Sequence, residues 1–232
     1  MVGTYGMSAV IDDNNAIYVT DDSPNGETEY VVRFYFDPNS ISMSNNDNAA
    51  SLWAVLGKTS KTANLNGYTI FYAYKGTIQP AMRVELRYYS GNYQVRAQAR
   101  KDSLYVNTSY YTITDDEHYI EVAWSAATSP GANNGELTLY VDGVQKESIT
   151  NIDNDTIYVD RVQLGAVTEV DNGTRGTYYF DAFESRSSGY IGPVAAIPAM
   201  HVAMVKPADS FLASLSYWLL NLLQEIFEWV VT

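Results

Sequence analysis

The chain has 232 residues, of which 46% are hydrophobic, so it is long and apolar enough to fold around a substantial core. Its 27 acidic and 14 basic residues give a net charge of −13, which argues against nucleic acid as a partner, because phosphate binding needs a basic surface. With no cysteine and only two histidines, the chain lacks the means for disulfides, thiol catalysis or a histidine-rich metal site.

Short alternating segments separated by turn residues run as far as residue 187, a pattern typical of a β-sandwich or barrel. The stretch 37–67 fits a short strand or a helical turn, and the residues do not choose between them. Strands are predicted at residues 7–11, 16–20, 27–36, 68–74, 82–89, 92–100, 109–114, 118–125, 136–141, 144–149, 157–167 and 177–186.

Turn chemistry predicts two hairpins, one at Ser90-Gly91 and one at Asp142-Gly143. If the first turn has two residues, counting back along both strands fixes which side chains face each other. Glu85 then faces Arg96 on the surface away from the core, while Arg83 and Arg87 lie opposite Gln98 and Gln94. Val84, Leu86 and Tyr88 lie opposite Ala97, Val95 and Tyr93 on the core face.

A family resemblance enters at residue 117. The run Glu117-His-Tyr-Ile-Glu-Val-Ala-Trp, a loop rich in Gly and Asn, and then Leu137-Thr-Leu-Tyr-Val-Asp-Gly-Val resemble the centre of LamG modules in the concanavalin-like superfamily. The ending 176–186 is similar to their closing strand. The resemblance covers residues 7–190 and implies an all-β, two-sheet antiparallel jelly-roll sandwich, often with a ligand on one sheet face or at a loop rim.

Some relatives implied by this resemblance are glucanases, which need Glu-x-Asp-x-x-Glu to place a nucleophile and a general acid about 5 Å apart. Glu85, Glu121, Glu136 and Glu184 lack acidic partners at the second and fifth following positions. We therefore expect no enzymatic activity and no catalytic residue. His118 falls on the inward face of its strand and is interpreted as a core or edge residue.

A polar sheet face is the first candidate site, because its arginines are able to hold acidic sugars or carboxylates while tyrosines stack on sugar rings. Ordinary cross-strand pairing and solvation are the alternative explanation of the same residues, and the favoured one. The proposed members are Arg83, Arg87, Arg96 and Arg100, joined by Arg33 and Tyr35 if their strand lies in the same sheet.

A structural Ca²⁺ is the second candidate, since the resemblance implies an ion between an N-terminal loop and the last strand. Carboxylate and amide oxygens suit that ion. Asp21, Asp22 and Asn25 lie in such a loop, and Asp181 lies in the closing strand. Plain turn and capping roles are the alternative explanation of these residues.

Residues 209–232 are predicted to form a hydrophobic α-helix, which follows a Pro- and Ala-rich linker at 189–208 and a sandwich at 1–188. Its polar residues occupy one stripe, so most of its circumference needs cover. Homo-oligomer assembly, membrane insertion and packing on the sandwich remain open. The apolar residues that would make the contact are Phe211, Leu212, Leu215, Trp218, Leu219, Leu222, Leu223, Ile226, Phe227 and Trp229.

Taken together, these patterns predict a non-enzymatic sandwich outside the cell or on its surface, which self-assembles through its C-terminal helix and displays a glycan-binding face. The alternative is a carbohydrate-binding module that the helix anchors to a membrane or to a partner. No cofactor other than Ca²⁺ is expected.

Overall fold

The computed structural model describes residues 6–44, 67–75, 79–101, 104–168, 170 and 172–195. The chain divides into a unit of Met1–Val194 and a unit of Ala195–Thr232. The predicted C-terminal helix and the ambiguous stretch around Leu52-Trp-Ala-Val-Leu lie outside the described residues. Within the described part of the chain, no helix has the length and apolarity needed to cross a membrane.

All regular structure in the described residues is β-strand, in agreement with the all-β prediction. The strands are β1 (Met7–Ile11), β2 (Ile17–Asp21), β3 (Glu29–Asp37), β4 (Gly67–Lys75), β5 (Gln79–Tyr89), β6 (Asn92–Arg100), β7 (Tyr105–Asn107), β8 (Tyr111–Ile113), β9 (His118–Ser125), β10 (Gly135–Val141), β11 (Val144–Ile152), β12 (Arg161–Thr168) and β13 (Gly176–Arg186).

These strands form two antiparallel sheets. The six-stranded sheet has the order β1-β13-β3-β9-β10-β11. The seven-stranded sheet has the order β2-β12-β4-β5-β6-β7, and β8 pairs with β6 beside that path. Each sheet combines consecutive strands with strands distant in sequence, such as β1 with β13 and β2 with β12, as expected for a jelly roll whose chain crosses between layers.

The core lies between the inner faces of the two sheets. Alternation along each strand places one set of side chains in this layer and the other set outside. From the six-stranded sheet, Phe34, Phe36 and Phe180 are fully buried, and from the seven-stranded sheet Phe71 meets Phe34 at 5.9 Å between ring centroids. This aromatic contact ties the centres of the two sheets together.

Both predicted hairpins are confirmed. Glu85 faces Arg96, and Arg83 and Arg87 face Gln98 and Gln94, as the two-residue turn at Ser90-Gly91 requires. Asp142 and Gly143 both have positive φ, 52° and 76°. Turn chemistry therefore predicted the register of the first hairpin correctly, whereas in the second hairpin the register shifts between Leu139 and Tyr140.

Several predicted strands differ in extent from those observed, and two of them lose several residues. The segment predicted as 157–167 becomes a strand only at Arg161, because buried Asn154 organises the preceding residues as a loop. Asn154 Oδ1 accepts the Ala127 N–H at 2.7 Å, and its Nδ2 donates to the Ser125 carbonyl at 3.1 Å. Likewise, the segment predicted as 109–114 is the short β8, and β7 was not predicted.

Two inward-facing tyrosines make stability dependent on alkaline pH. Burial raises the pKa of Tyr30 and of Tyr93 from 10.0 to about 12 in each case. Above pH 10 the unfolded chain ionises these phenols first, so stability is complete below pH 10 and falls as pH rises toward 12. Each tyrosine then contributes a loss of up to about 1.4 kcal/mol per pH unit.

Urea unfolding at several alkaline pH values measures this loss, and Tyr30→Phe is expected to make the decline shallower. An unfolding midpoint that stays constant from pH 10 to 12 would contradict the expectation.

Candidate functional site

A cluster of charged and aromatic side chains covers the outer face of β5 and β6. Their outward positions alternate with the core residues of the same strands, and β7 and the loop after it supply two tyrosines. We call this set the arginine cluster; its members are Arg83, Glu85, Arg87, Arg96, Gln98, Arg100, Tyr105 and Tyr110.

Glu85 is the centre of the arginine cluster. Its Oε1 lies 2.6 Å from Arg83 Nη2, and its Oε2 accepts a hydrogen bond from Arg96 Nε at 2.5 Å. The Tyr110 hydroxyl donates to the same Oε2 at 3.2 Å. Glu85 is only 3% exposed, although it lies on the outer face of a sheet. The carboxylate therefore holds two guanidinium groups in fixed positions.

Arg83 is also held from the side of β6. Its Nε donates to Gln98 Oε1 at 2.5 Å, and Gln98 Nε2 donates in turn to Asn107 Oδ1. Gln98 is fully buried. This chain of hydrogen bonds across β5, β6 and β7 makes the face rigid, because each side chain is bound at both ends.

Arg87 lies at one end of the cluster. Its Nε donates to Gln94 Oε1 at 2.7 Å, and its guanidinium lies 3.6 Å from the ring centroid of Tyr110 and 4.6 Å from that of Tyr89. Burial lowers the pKa of Arg87, but a guanidinium remains charged at neutral pH. Among the described residues no carboxylate forms an ion pair with Arg87, so its charge is available to an anion.

Arg100 lies at the opposite end. Its Nη1 donates to the Tyr105 hydroxyl at 3.3 Å, and its buried Nε has no hydrogen-bond partner in the described part of the chain. Because Arg87 pairs in register with Gln94, six residues before Arg100, the two ends are about 20 Å apart at about 3.3 Å per residue. A ligand that contacts both ends must therefore be extended.

The arginine cluster is positively charged within an acidic protein. Four guanidinium groups and one carboxylate leave three positive charges, counted over the described residues, whereas the whole chain carries −13. Arg87 and Arg100 lie in no ion pair within the described residues, so their positive charges are not compensated there. This face is therefore the candidate anion-binding surface.

The other two residues predicted for this site, Arg33 and Tyr35, lie elsewhere. Their strand, β3, pairs with β9 and β13 in the six-stranded sheet, so they are on the opposite side of the sandwich. Arg33 Nη1 donates to the carbonyl of Ala182, which has positive φ in a bulge of β13, and Nη2 pairs with Glu184. Their inclusion in the ligand face was wrong, because alternation along a strand does not show which sheet contains it.

The chain itself covers the centre of the outer face of the six-stranded sheet, over β3 and β9. Glu121, which is fully buried, accepts the N–H of Ile191 at 2.8 Å and that of Gly192 at 2.9 Å. The Tyr35 hydroxyl accepts the N–H of Val194 at 3.1 Å. We call residues 187–194 the strap. The predicted linker therefore begins as part of the sandwich unit.

Removing the Glu121 carboxylate is expected to release the strap. In Glu121→Ala, the Ile191 and Gly192 N–H groups lose charge-assisted hydrogen bonds worth about 1.5–3 kcal/mol each. Hydrogen exchange of a peptide spanning 187–194 should accelerate by tenfold or more, which mass spectrometry detects. Glu136→Ala, at an exposed position of the same sheet, is the control. Equal protection in both variants would show that Glu121 does not hold the strap.

Three of the four residues predicted for Ca²⁺, all except Asn25, are already engaged with protein partners. Asp22 pairs with Arg161, Asp21 Oδ1 accepts the Ser23 N–H, and Asp181 Oδ1 accepts the Ala182 N–H. No group of three His, Cys, Asp or Glu side chains that is able to hold a metal occurs in the described ranges. These residues thus do not form a ready ion site, and Ca²⁺ binding remains a prediction.

His118 lies at the end of β9, where both ring nitrogens are bonded. Nε2 accepts the Thr114 N–H at 3.0 Å, which leaves the proton on Nδ1 facing Asp142 Oδ2 at 2.6 Å. Asp142 also accepts the Tyr119 N–H. His118 thus stabilises the Asp142-Gly143 turn by its hydrogen bond to Asp142.

No protein-family model matches the chain, and no curated protein matches it in sequence. The LamG assignment within the superfamily is therefore not shown.

Solved structures nevertheless share the fold. An endo-β-1,4-glucuronan lyase from the fungus Trichoderma reesei is 14% identical with a TM-score of 0.50, over 80% of this chain and 82% of that one. The alginate lyase Aly36B is 9% identical with a TM-score of 0.50, over 78% and 79% of the chains. A heptameric SAP-like pentraxin from Limulus polyphemus is 10% identical with a TM-score of 0.50, over 79% and 76%. These likenesses show a concanavalin-like jelly-roll sandwich.

The two lyases also correct the prediction that the chain is not an enzyme. That prediction depended only on the missing glucanase motif, which tests for hydrolysis. The same sandwich occurs in enzymes that are named lyases. Elimination does not require the paired carboxylates of a glycosidase, so their absence excludes glycoside hydrolysis by that motif and nothing further.

Proposed function

We propose that the arginine cluster binds an extended polysaccharide whose sugars carry carboxylates. The observation that supports this most directly is the placing of Arg87 and Arg100 about 20 Å apart on one sheet face of a protein of charge −13, with neither in an ion pair within the described residues. Guanidinium groups bind carboxylates with two parallel hydrogen bonds. The rings of Tyr89 and Tyr105 lie beside the guanidiniums and offer surfaces for sugar rings.

The rigidity of the cluster also supports the proposal. Arg83 and Arg96 are fixed through Glu85, and Gln98 is fixed through Asn107. Groups that are ordered before binding lose little entropy when the ligand arrives. Arg87 and Arg100 would make the direct ionic contacts at the two ends.

Binding to alginate, compared with the neutral polymer dextran, tests this function in isothermal titration calorimetry. We expect the protein to bind alginate and not dextran, and we expect its affinity for alginate to weaken as salt screens the charges. Equal binding to dextran, or binding to neither polymer, would contradict the proposal.

A second candidate function is cleavage of the same polymer by elimination, which the position of Tyr110 favours. Its hydroxyl lies on Glu85 and its ring lies against Arg87 and Arg96, so the phenol is beside the groups that would bind a uronate. Burial raises the pKa of Tyr110, so the phenol keeps its proton, and it is a weaker acid than a free phenol that would donate only to an oxygen leaving as a strongly basic alkoxide.

In this reaction water accepts the proton at C5, and the electron pair forms the C4–C5 double bond; the Tyr110 phenolate left at the end regains a proton from solvent. The C4–O bond breaks, and Tyr110 protonates the leaving oxygen. Arginine contacts to the carboxylate would stabilise the charge that develops when the C5 proton leaves. The test is the ultraviolet absorbance of unsaturated uronate ends during incubation with polyglucuronate or alginate. We expect Tyr110→Phe to abolish it; absence of product from both polymers contradicts this candidate but not the binding function.

An extracellular or surface location remains a prediction. Self-assembly or anchoring through residues 209–232 likewise remains a prediction, and the truncation at residue 206 tests it by light scattering.

A further inference from the structure

Strand β2 leaves apolar side chains in solvent. Ile17, Tyr18 and Val19 are 43%, 44% and 52% exposed, although they lie in a regular strand. Three neighbouring apolar residues at such exposure are unusual for strand residues, whose apolar side chains normally enter the core. These three side chains therefore contribute little to the core of their own sandwich and are accessible to another surface.

β2 is also the end of the seven-stranded sheet. It pairs with β12 on one side, and in the described part of the chain no strand lies on its other side. Gly165 in β12 allows this pairing: a Cβ there would lie 2.4 Å from the carbonyl oxygen of Ile17. The backbone groups on the free side of β2 are therefore presented along an ordered edge.

The edge lacks the usual protection against strand pairing. Natural edge strands are guarded by Lys, Pro or inward-pointing charge, whereas β2 reads Ile-Tyr-Val-Thr before its one charged residue, Asp21, at the end. Acidic residues flank this neutral run on both sides, at Asp13 and Asp21. An incoming strand must therefore match a neutral centre and avoid placing acids against acids.

A second copy of β2 meets this requirement when it pairs antiparallel about Val19. In that register Val19 faces Val19 of the other copy, Tyr18 faces Thr20, and Asp21 faces Ile17. The two Asp21 carboxylates then lie about 13 Å apart along the strands, so like charges are not opposed. Ile17 and Val19 pair with the core-facing Ala166 and Leu164, so each copy covers the other's apolar side chains on one face.

We propose that two copies of the chain associate through β2, which joins two seven-stranded sheets into one continuous fourteen-stranded sheet. The two-fold axis of such an antiparallel pair is perpendicular to the sheet. Both arginine clusters therefore lie on the same side of the joined sheet. This interface is independent of the ligand proposed above and of the C-terminal residues.

The test compares a lysine introduced in β2 with a lysine introduced at an exposed position of the other sheet. Val19→Lys places two ammonium groups opposite each other at the two-fold axis, whereas Val144→Lys alters an equally exposed valine in the β10–β11 hairpin. Measured by light scattering, the full chain and Val144→Lys should have the same mass, and Val19→Lys should have half of it. Equal masses for all three proteins would overturn the proposal, whatever assembly the C-terminal residues support.

Because the chain has no cysteine, a second variant tests the register. Two residues facing each other in an antiparallel pair have Cα atoms about 4.5–5.5 Å apart, within disulfide range. Under oxidising conditions Val19→Cys should form a linked dimer in non-reducing electrophoresis, and Val144→Cys should not. Failure of Val19→Cys to link, or equal linking of both variants, counts against the interface.

Discussion

Arg87→Gln should reduce affinity for alginate about 10- to 100-fold without lowering the stability of the fold. Arg87 is available to an anion, since no described carboxylate pairs with it, and a hydrogen bond to a charged group contributes about 1.5–3 kcal/mol. Each 1.4 kcal/mol is a tenfold change in affinity. The side chain is partly exposed and lies at the end of the cluster, so its loss leaves the Glu85 network in place.

Isothermal titration with alginate measures this effect. Arg186→Gln, on the six-stranded sheet, removes the same charge and serves as the control. Similar affinities in the two variants would mean that the ligand responds only to net charge and does not contact the arginine cluster.

Glu85→Gln should be strongly destabilising. Arg83 and Arg96 are 5% and 8% exposed, and both depend on the Glu85 carboxylate. Breaking a buried ion pair by removing one partner costs about 3–5 kcal/mol, because the remaining charge stays buried. The free energy of unfolding in urea should fall by that amount.

Glu136→Gln is the matched control for this measurement, since Glu136 is exposed and the substitution should change stability by less than about 0.5 kcal/mol. If Glu85→Gln unfolds at the same urea concentration as the unaltered chain, the carboxylate does not hold the cluster together.

Much of the arginine cluster was predictable because a two-residue turn fixes register. Once Ser90-Gly91 is identified, Glu85, Arg96 and the flanking arginines follow by counting, and the structure agrees. The sheet that contains Arg33 was not predictable in this way, since alternation shows which side chains share a face but not which strands are neighbours. The strand order of the structure shows that β3, which contains Arg33, lies in the six-stranded sheet.

Tyr105 and Tyr110 were missed for a different reason. They lie in a three-residue strand and in a loop, where no periodic pattern exists to read. The strap was missed as well, because Gly-Tyr-Ile-Gly-Pro reads as a linker. Its attachment depends on backbone N–H groups and on one buried carboxylate, Glu121, which carries no local signature in the sequence.

The strap has a consequence for mixtures with long polymers. Because it occupies the centre of the outer face of the six-stranded sheet, a sandwich keeps one broad face for a polysaccharide. Two sandwiches joined at β2 still present their arginine clusters in the same direction. Such a protein would coat a polymer chain from one side and would not tie separate chains into a gel, so the viscosity of an alginate solution should not rise when the protein is added.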